Sequence, residues 1–199
     1  MIEVVVVLLA CSAAAGPVVA GEVTASSEQP EFPARGAADG DQFAFGGSHA
    51  WAGEAKAGAW WWQREFSPPQ AVGAILQVVG DHEFVFWNAP KRYDWEISDD
   101  GEHWRPLPGA AQPNERRLYR LHRLARAERV RFIRLNIREV HGDFPVVREV
   151  EFYSDPEVAV PFPDWVVAVN VTHDGRLPGE GKEFVMLAKS CPGGESLQA

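Results

Sequence analysis

Between residues 130 and 153 apolar and polar side chains alternate with period two on both sides of a short polar break. Ile133, Leu135 and Ile137 alternate with Arg134, Asn136 and Arg138; after residues 141–145 the alternation returns as Val150 and Phe152 against Glu149 and Glu151. Such alternation predicts two antiparallel strands joined as a hairpin, each with one buried face. A lone hairpin cannot cover its own apolar side, so a second sheet is required. The preceding chain supplies the strands for it. Residues 22–27 are β-rich and polar, 29–36 carry two Pro and a Gly and form a loop, and 37–41 (AADGD) make an acidic tight turn. Residues 42–58 lack sustained periodicity and form a long structured loop, a kind usually kept for function. Residues 59–66 place Trp60, Trp62 and Phe66 on one parity and Trp61, Gln63 and Glu65 on the other, until Pro68 and Pro69 end the strand. Residues 72–79 form a continuously apolar strand, covered on both faces. Tyr93, Trp95 and Ile97 then alternate with Asp94, Glu96 and Ser98; Asp99, Asp100 and Gly101 make a hairpin turn, and Trp104 resumes the partner strand. Residues 115–124 admit a helical reading through Arg117, Arg120 and Arg123, but the all-β surroundings favour a strand.

Beyond residue 153 the texture changes. A Pro-rich linker over 155–164 leads into residues 165–199, which hold one clear apolar strand and too little hydrophobic content for a core of their own. This extension is expected to be the start of a second, truncated domain. With 199 residues, 46% of them hydrophobic, the chain builds one sizeable core. Residues 1–20 resemble an export signal: a short apolar run, too brief to span a bilayer, followed by small residues. Two processing readings stand. Val18, Val19 and Ala20 suit cleavage before Gly21, whereas Leu8 to Cys11 resembles a lipoprotein box with Cys11 as the lipid-bearing residue. A secreted, periplasmic or cell-surface location follows from either, with no transmembrane segment. Net charge is −9, which argues against a nucleic-acid partner. The only cysteines are Cys11 and Cys191, so no internal disulfide is expected.

With these strands laid out, residues 22–154 resemble the discoidin family, also called the coagulation factor 5/8 type C domain, which overlaps family 32 carbohydrate-binding modules. The resemblance is carried by the opening VTASS of residues 23–27, the ADGD of 38–41, the tryptophan-led strand of 60–66 and the Y-x-W-x-I-S-x-D-G-x-x-W of 93–104. The closing VRFIRLNI and REVEFY complete it. It implies an all-β fold, an antiparallel β-sandwich of jelly-roll type, which the alternation supports independently. It also implies a non-catalytic binding module whose contacts come from loops at one end of the sandwich. The ligand implied is a carbohydrate, the Arg-rich stretch 116–138 adding the option of an anionic glycan. A sugar site needs an aromatic face for the C–H side of the ring and fixed polar groups for the hydroxyls. The corresponding positions are His49, Trp51, His82, Trp87, Asn88, Arg92, His141 and Asp143. Bacterial relatives often hold a structural calcium near the ADGD turn, for which Ala38, Asp39, Asp41 and Glu149 are the equivalents. Ala44 stands where relatives often place a hydroxyl ligand, and Asp39 closing an Asx turn is the competing reading.

Two other function classes stay open on the sequence: an accessory domain of an enzyme whose catalytic part begins near residue 165, and a protein or membrane adhesion module. Asp81, His82 and Glu83 resemble a general-base cluster but have no nucleophile in a recognisable setting, and Asp99 and Asp100 read as turn formers. Cys191 has no identifiable histidine partner.

Overall fold

The structure, a computed structural model, describes residues 17, 21–42, 47–55, 58–80, 88–110 and 119–158, together with the backbone of Val167–Asn170 and Val185–Ala188. Its strands in chain order are β1 (Glu22–Ala25), β2 (Trp51–Ala52), β3 (Trp60–Val79), β4 (Pro90–Ser98), β5 (Arg105–Pro106), β6 (Tyr119–Val140), β7 (Val146–Tyr153), β8 (Val167–Asn170) and β9 (Val185–Ala188). All pairings are antiparallel. The order is β2-β7-β3-β6-β4-β5, with β1 added on β3, and the whole is a β-sandwich.

Two strands serve both layers. The first part of β3, Trp60 to Glu65, pairs with β1 and with the second part of β6; its later part, from Ala74 on, pairs with β7 and with the start of β6. The ladder shifts register between Glu65 and Gln70, where Pro68 and Pro69 lie. The sequence predicts that these prolines end a strand; instead the strand bends there and continues. Proline has no N–H to give the ladder, so pairing lapses locally while the chain turns the corner from one layer to the other. Residues 119–140 likewise form one strand rather than two.

The predicted parities place the core. Trp62, Phe66, Ile133, Leu135 and Ile137 are all fully buried, and Tyr93, Trp95 and Ile97 nearly so. Phe152 of β7 sits among them, stacked on Trp62 (centroids 6.4 Å apart) and edge-on to Phe66 (5.4 Å) and Trp95 (6.0 Å). Each such pair adds about 0.5–1.5 kcal/mol beyond area burial. Trp62 also donates its Nε1–H to the Ala34 carbonyl (2.9 Å), tying the 3-10 turn Ala34–Ala38 to the core.

Two predictions of the alternation need correcting. β6 and β7 are consecutive but do not form a hairpin: β7 pairs with β2 and β3, and β6 with β3 and β4. Residues 141–145 therefore cross from one layer to the other. Glu149 and Glu151 do not face solvent either; every residue of β7 is buried, because the 34–42 segment folds over the side that carries the glutamates. The start of the predicted linker packs on the sandwich as well. Val158 is buried, and Arg123 donates to the carbonyls of Pro156 and Val158 (2.8 Å to the latter). β8 and β9 form a separate two-stranded sheet, so Val167–Asn170 does have a partner strand. Among the described residues no helix is long and apolar enough to cross a membrane.

Candidate functional site

One end of the sandwich gathers Gly53, Gly80, Asn88 and Ala89 around the connection 141–145: the Gly53 N–H donates to the Pro145 carbonyl (3.1 Å) and the Gly80 N–H to the Val146 carbonyl (3.2 Å). Asn88 ties its own segment to that connection. Its backbone adopts φ 63°, in the left-handed region that asparagine tolerates better than most residues. Its carbonyl accepts the Val146 N–H (2.8 Å), and its Oδ1 accepts the Asp143 N–H (3.1 Å). Next door the His141 N–H donates to the Ala89 carbonyl (3.0 Å). Gly142 lies against the Asn88 side chain so closely that a Cβ would collide with Oδ1. Asn88 is thus a buried clamp between two loops, 2% exposed, and its side-chain oxygen is occupied.

Beside the clamp, Arg92 and Lys91 both bond Glu139 across the β4–β6 ladder, Lys91 at 2.7 Å. These two bonds hold the Glu139 carboxyl below the usual carboxylate range. The Arg92 side chain is 67% exposed, and Asp143 is exposed on the neighbouring tip. The structure therefore brings Asn88, Arg92, His141 and Asp143 to one end. It does not bring Trp51 there as a platform: the ring is fully buried, with Nε1–H on the Ser27 carbonyl (2.9 Å), and has no face to offer. His82, Trp87 and Cys11 lie outside the described residues.

The acidic turn makes a second neighbourhood. Asp39 Oδ1 accepts the Asp41 N–H (2.8 Å), an Asx turn, and Oδ2 lies 2.7 Å from His49 Nδ1. His49 therefore sits on the turn rather than on the loop tips. Glu149 reaches under the turn, accepts the Gly40 N–H (3.1 Å) and is hydrogen-bonded to Asp39. Next along β7, Glu151 accepts from Gln42 Nε2 (2.9 Å) and from the Tyr153 hydroxyl. Burial first, then the charges of Glu151 and Asp39, push Glu149 up to about 8. Arg64, 4% exposed, is the cation whose field reaches Glu149. Sequence reading placed Asp39, Asp41 and Glu149 together but not Glu151, whose position two residues on along the strand was the available signal. Among the described residues no group of three or more His, Cys, Asp or Glu is arranged to hold a metal ion. The oxygen donors present are the Asp39 and Glu149 carboxyls, with Ala38 and Asp41 on the same turn, a set suited to a hard cation.

The arginine-rich strand is largely engaged within the fold. Arg120 is buried and donates to the Pro90 carbonyl (2.6 Å); Arg126 pairs with Glu128, Arg131 with Glu65 and Arg138 with Asp94. Arg134 lies between two tryptophans, 4.6 Å from the Trp61 ring centroid and 3.7 Å from that of Trp104, and bonds Gln63 Oε1 (2.8 Å). No sequence motif marks this stack. Its three members come from three segments and meet only through strand register.

An antiparallel sandwich whose strands cross between its two layers defines the class of fold. A family model described as F5/8 type C domain matches residues 22–152, and the chain belongs to that family. Several solved structures share the fold. CpGH89CBM32-5 from Clostridium perfringens, in complex with GalNAc-β-1,3-galactose, superposes with TM-score 0.54 at 18% identity, over 67% of this chain and 94% of its own. The family 32 module of Clostridium perfringens NanJ, in complex with galactose, gives 0.52 at 16%, over 67% and 93%. Chitosan-binding module 1 from the chitosanase/glucanase of Paenibacillus sp. IK-5 gives 0.55 at 16%, over 70% and 98%. No curated protein matches the chain in sequence.

Proposed function

We propose that the domain is a non-catalytic module that binds carbohydrate through the loop end. The observation that carries this reading is the exposed Arg92 at the same end as Asp143 and His141, whose connection is tied down by Asn88, in a fold whose structural neighbours include sugar complexes. A tied-down 141–145 connection lowers the ordering cost of binding, and Arg92 and Asp143 supply donors and acceptors for hydroxyls. His82 and Trp87 belong to the same proposal from the sequence, Trp87 as the aromatic face. The test is a glycan array with the full chain, followed by titration of the best sugar into wild type, Arg92→Ala and Trp87→Ala. Both substitutions should abolish binding and leave the melting temperature nearly unchanged. A large loss of stability in either, or unaltered binding in both, defeats the reading. Anionic phospholipid vesicles serve as the control for membrane adhesion; vesicle binding that free sugars fail to compete replaces the carbohydrate reading with that one.

We also propose a structural calcium at the acidic turn, held by Asp39 and Glu149 with oxygens of Ala38 and Asp41. What supports it is that two carboxyl groups sit side by side there, an arrangement that a proton or a cation must stabilise. Binding should release that proton and raise the melting temperature, and a chelator should reverse both. Equal melting temperatures with calcium and with chelator would rule it out. A second functional reading, an accessory domain of an enzyme beginning near residue 165, is favoured by the separate β8–β9 sheet; a catalytic domain encoded directly after it would support that reading.

A further inference from the structure

The β4–β5 hairpin lies at the opposite pole. β4 runs from Pro90, paired with Val140 at the loop end, to Ser98, paired with Phe132. Its eight steps at about 3.3 Å put the hairpin roughly 26 Å away. Here Ser98, Asp99, Asp100, His103, Trp104 and Arg105 line a cleft of about 260 Å³.

Turn chemistry accounts for part of this lining. Asp100 Oδ1 accepts from the Ser98 hydroxyl (2.9 Å) and from the N–H groups of Glu102 and His103 (2.8 Å each), and its Oδ2 lies 2.8 Å from His103 Nδ1. Turn chemistry does not account for the rest. The side chains of Asp99 and Arg105 make no hydrogen bond or ion pair among the described residues. Trp104 stays half-buried at the surface instead of entering the core, and it is locked there. Its Nε1–H donates to the Gly101 carbonyl (3.1 Å), and Arg134 covers one face of its ring, 3.7 Å from the centroid. A fixed aromatic wall, a carboxylate and a guanidinium, both available, converge on a space smaller than a drug-sized pocket.

We propose that this cleft is a second sugar subsite, which takes a single neutral pyranoside residue against the face of Trp104 turned away from Arg134, with its hydroxyls shared between Asp99 and Arg105. The apolar C–H face of a pyranose suits an indole. A carboxylate accepts from two neighbouring hydroxyls while a guanidinium donates to a third oxygen. Because the ring and the turn are already held, little rotamer freedom is lost on binding. The charge balance at the rim, Asp99, Asp100 and Glu102 against Arg105 and the Arg134 stacked on Trp104, is acidic and selects against uronates. The inference shares the carbohydrate premise of the loop-end reading but stands on different residues.

The test is an NMR titration of the full ¹⁵N-labelled chain with galactose, glucose and, as the charged control, galacturonate. A neutral sugar should give saturable shifts at the amides of residues 98–105 and at the Trp104 indole N–H, and galacturonate should not. The double variant Asp99→Asn with Arg105→Gln, which changes only exposed side chains, should weaken the response about tenfold or more, the loss expected for charge-assisted hydrogen bonds. Shifts confined to residues 88–92 and 139–143 would support the loop-end site and overturn this one; shifts confined to 98–105 would do the reverse. An undiminished response in the double variant, or an equal response to galacturonate, overturns the assignment.

Discussion

Replacing Glu149 with Gln isolates the buried acid beneath the turn. Glutamine keeps an acceptor for the Gly40 N–H and gains a donor toward Asp39, so the local bonding survives while the titrating group disappears. In the wild-type fold the Glu149 carboxyl stays protonated to about pH 8, whereas the unfolded chain releases that proton near the ordinary glutamate value of 4.5. The unfolded state therefore binds fewer protons between these limits, and stability falls as pH rises through the window. At 1.36 kcal/mol per pH unit the full span corresponds to at most about 5 kcal/mol, a large share of the 5–15 kcal/mol that holds a typical domain together. Arg64 remains charged throughout and offsets part of the loss. Urea unfolding in chelator, at intervals from about pH 5 to about pH 8, measures the effect. Wild type should lose several kcal/mol across the range, and Glu149→Gln should show a much flatter profile and be the more stable form at the alkaline end. A flat wild-type profile, or the same slope in the variant, would refute the reasoning.

Other substitutions test the packing. Gly142→Ala drives a methyl into Asn88 Oδ1 and breaks the bond to the Asp143 N–H, so a loss of about 1–3 kcal/mol should appear in thermal melts; Asn88→Gly, which keeps the φ 63° backbone without strain, should cost less than that. Trp62→Ala removes the ring stacked on Phe152 and should cost about 3–5 kcal/mol in urea unfolding. Arg134→Ala removes one guanidinium from two indole faces, and a loss of about 1–2 kcal/mol with altered tryptophan fluorescence is expected. An Arg134→Ala variant as stable as wild type, with unchanged emission, would mean that the stack is incidental.

Side-chain parity within each strand was legible in the sequence, because alternation is a local property. Trp60, Trp62 and Phe66, or Tyr93, Trp95 and Ile97, could hardly face anywhere but inward. Pairing was not legible, because it is decided by distant segments. β6 and β7 look like a hairpin from their sequence, yet β3 lies between them. The burial of Glu149 and Glu151 depends on the 34–42 segment folding over β7, which no strand pattern encodes. For the site, individual side chains in aperiodic stretches were ambiguous. Trp51 lies in a stretch of sequence without periodicity, so nothing local distinguished a ligand platform from a core ring. Trp61 and Trp104 lie on half-exposed faces, which the parity of residues 59–66 allowed for Trp61, yet their shared partner Arg134 emerges only from cross-strand register.

The bend that carries β3 and β6 from one layer into the other also governs how the domain comes apart. Neither layer owns those two strands, so neither can melt while its counterpart survives. The amides of Trp62 and Leu135 on one side of the bend and of Leu76 and Leu121 on the other should accordingly exchange with solvent together, in a single global opening.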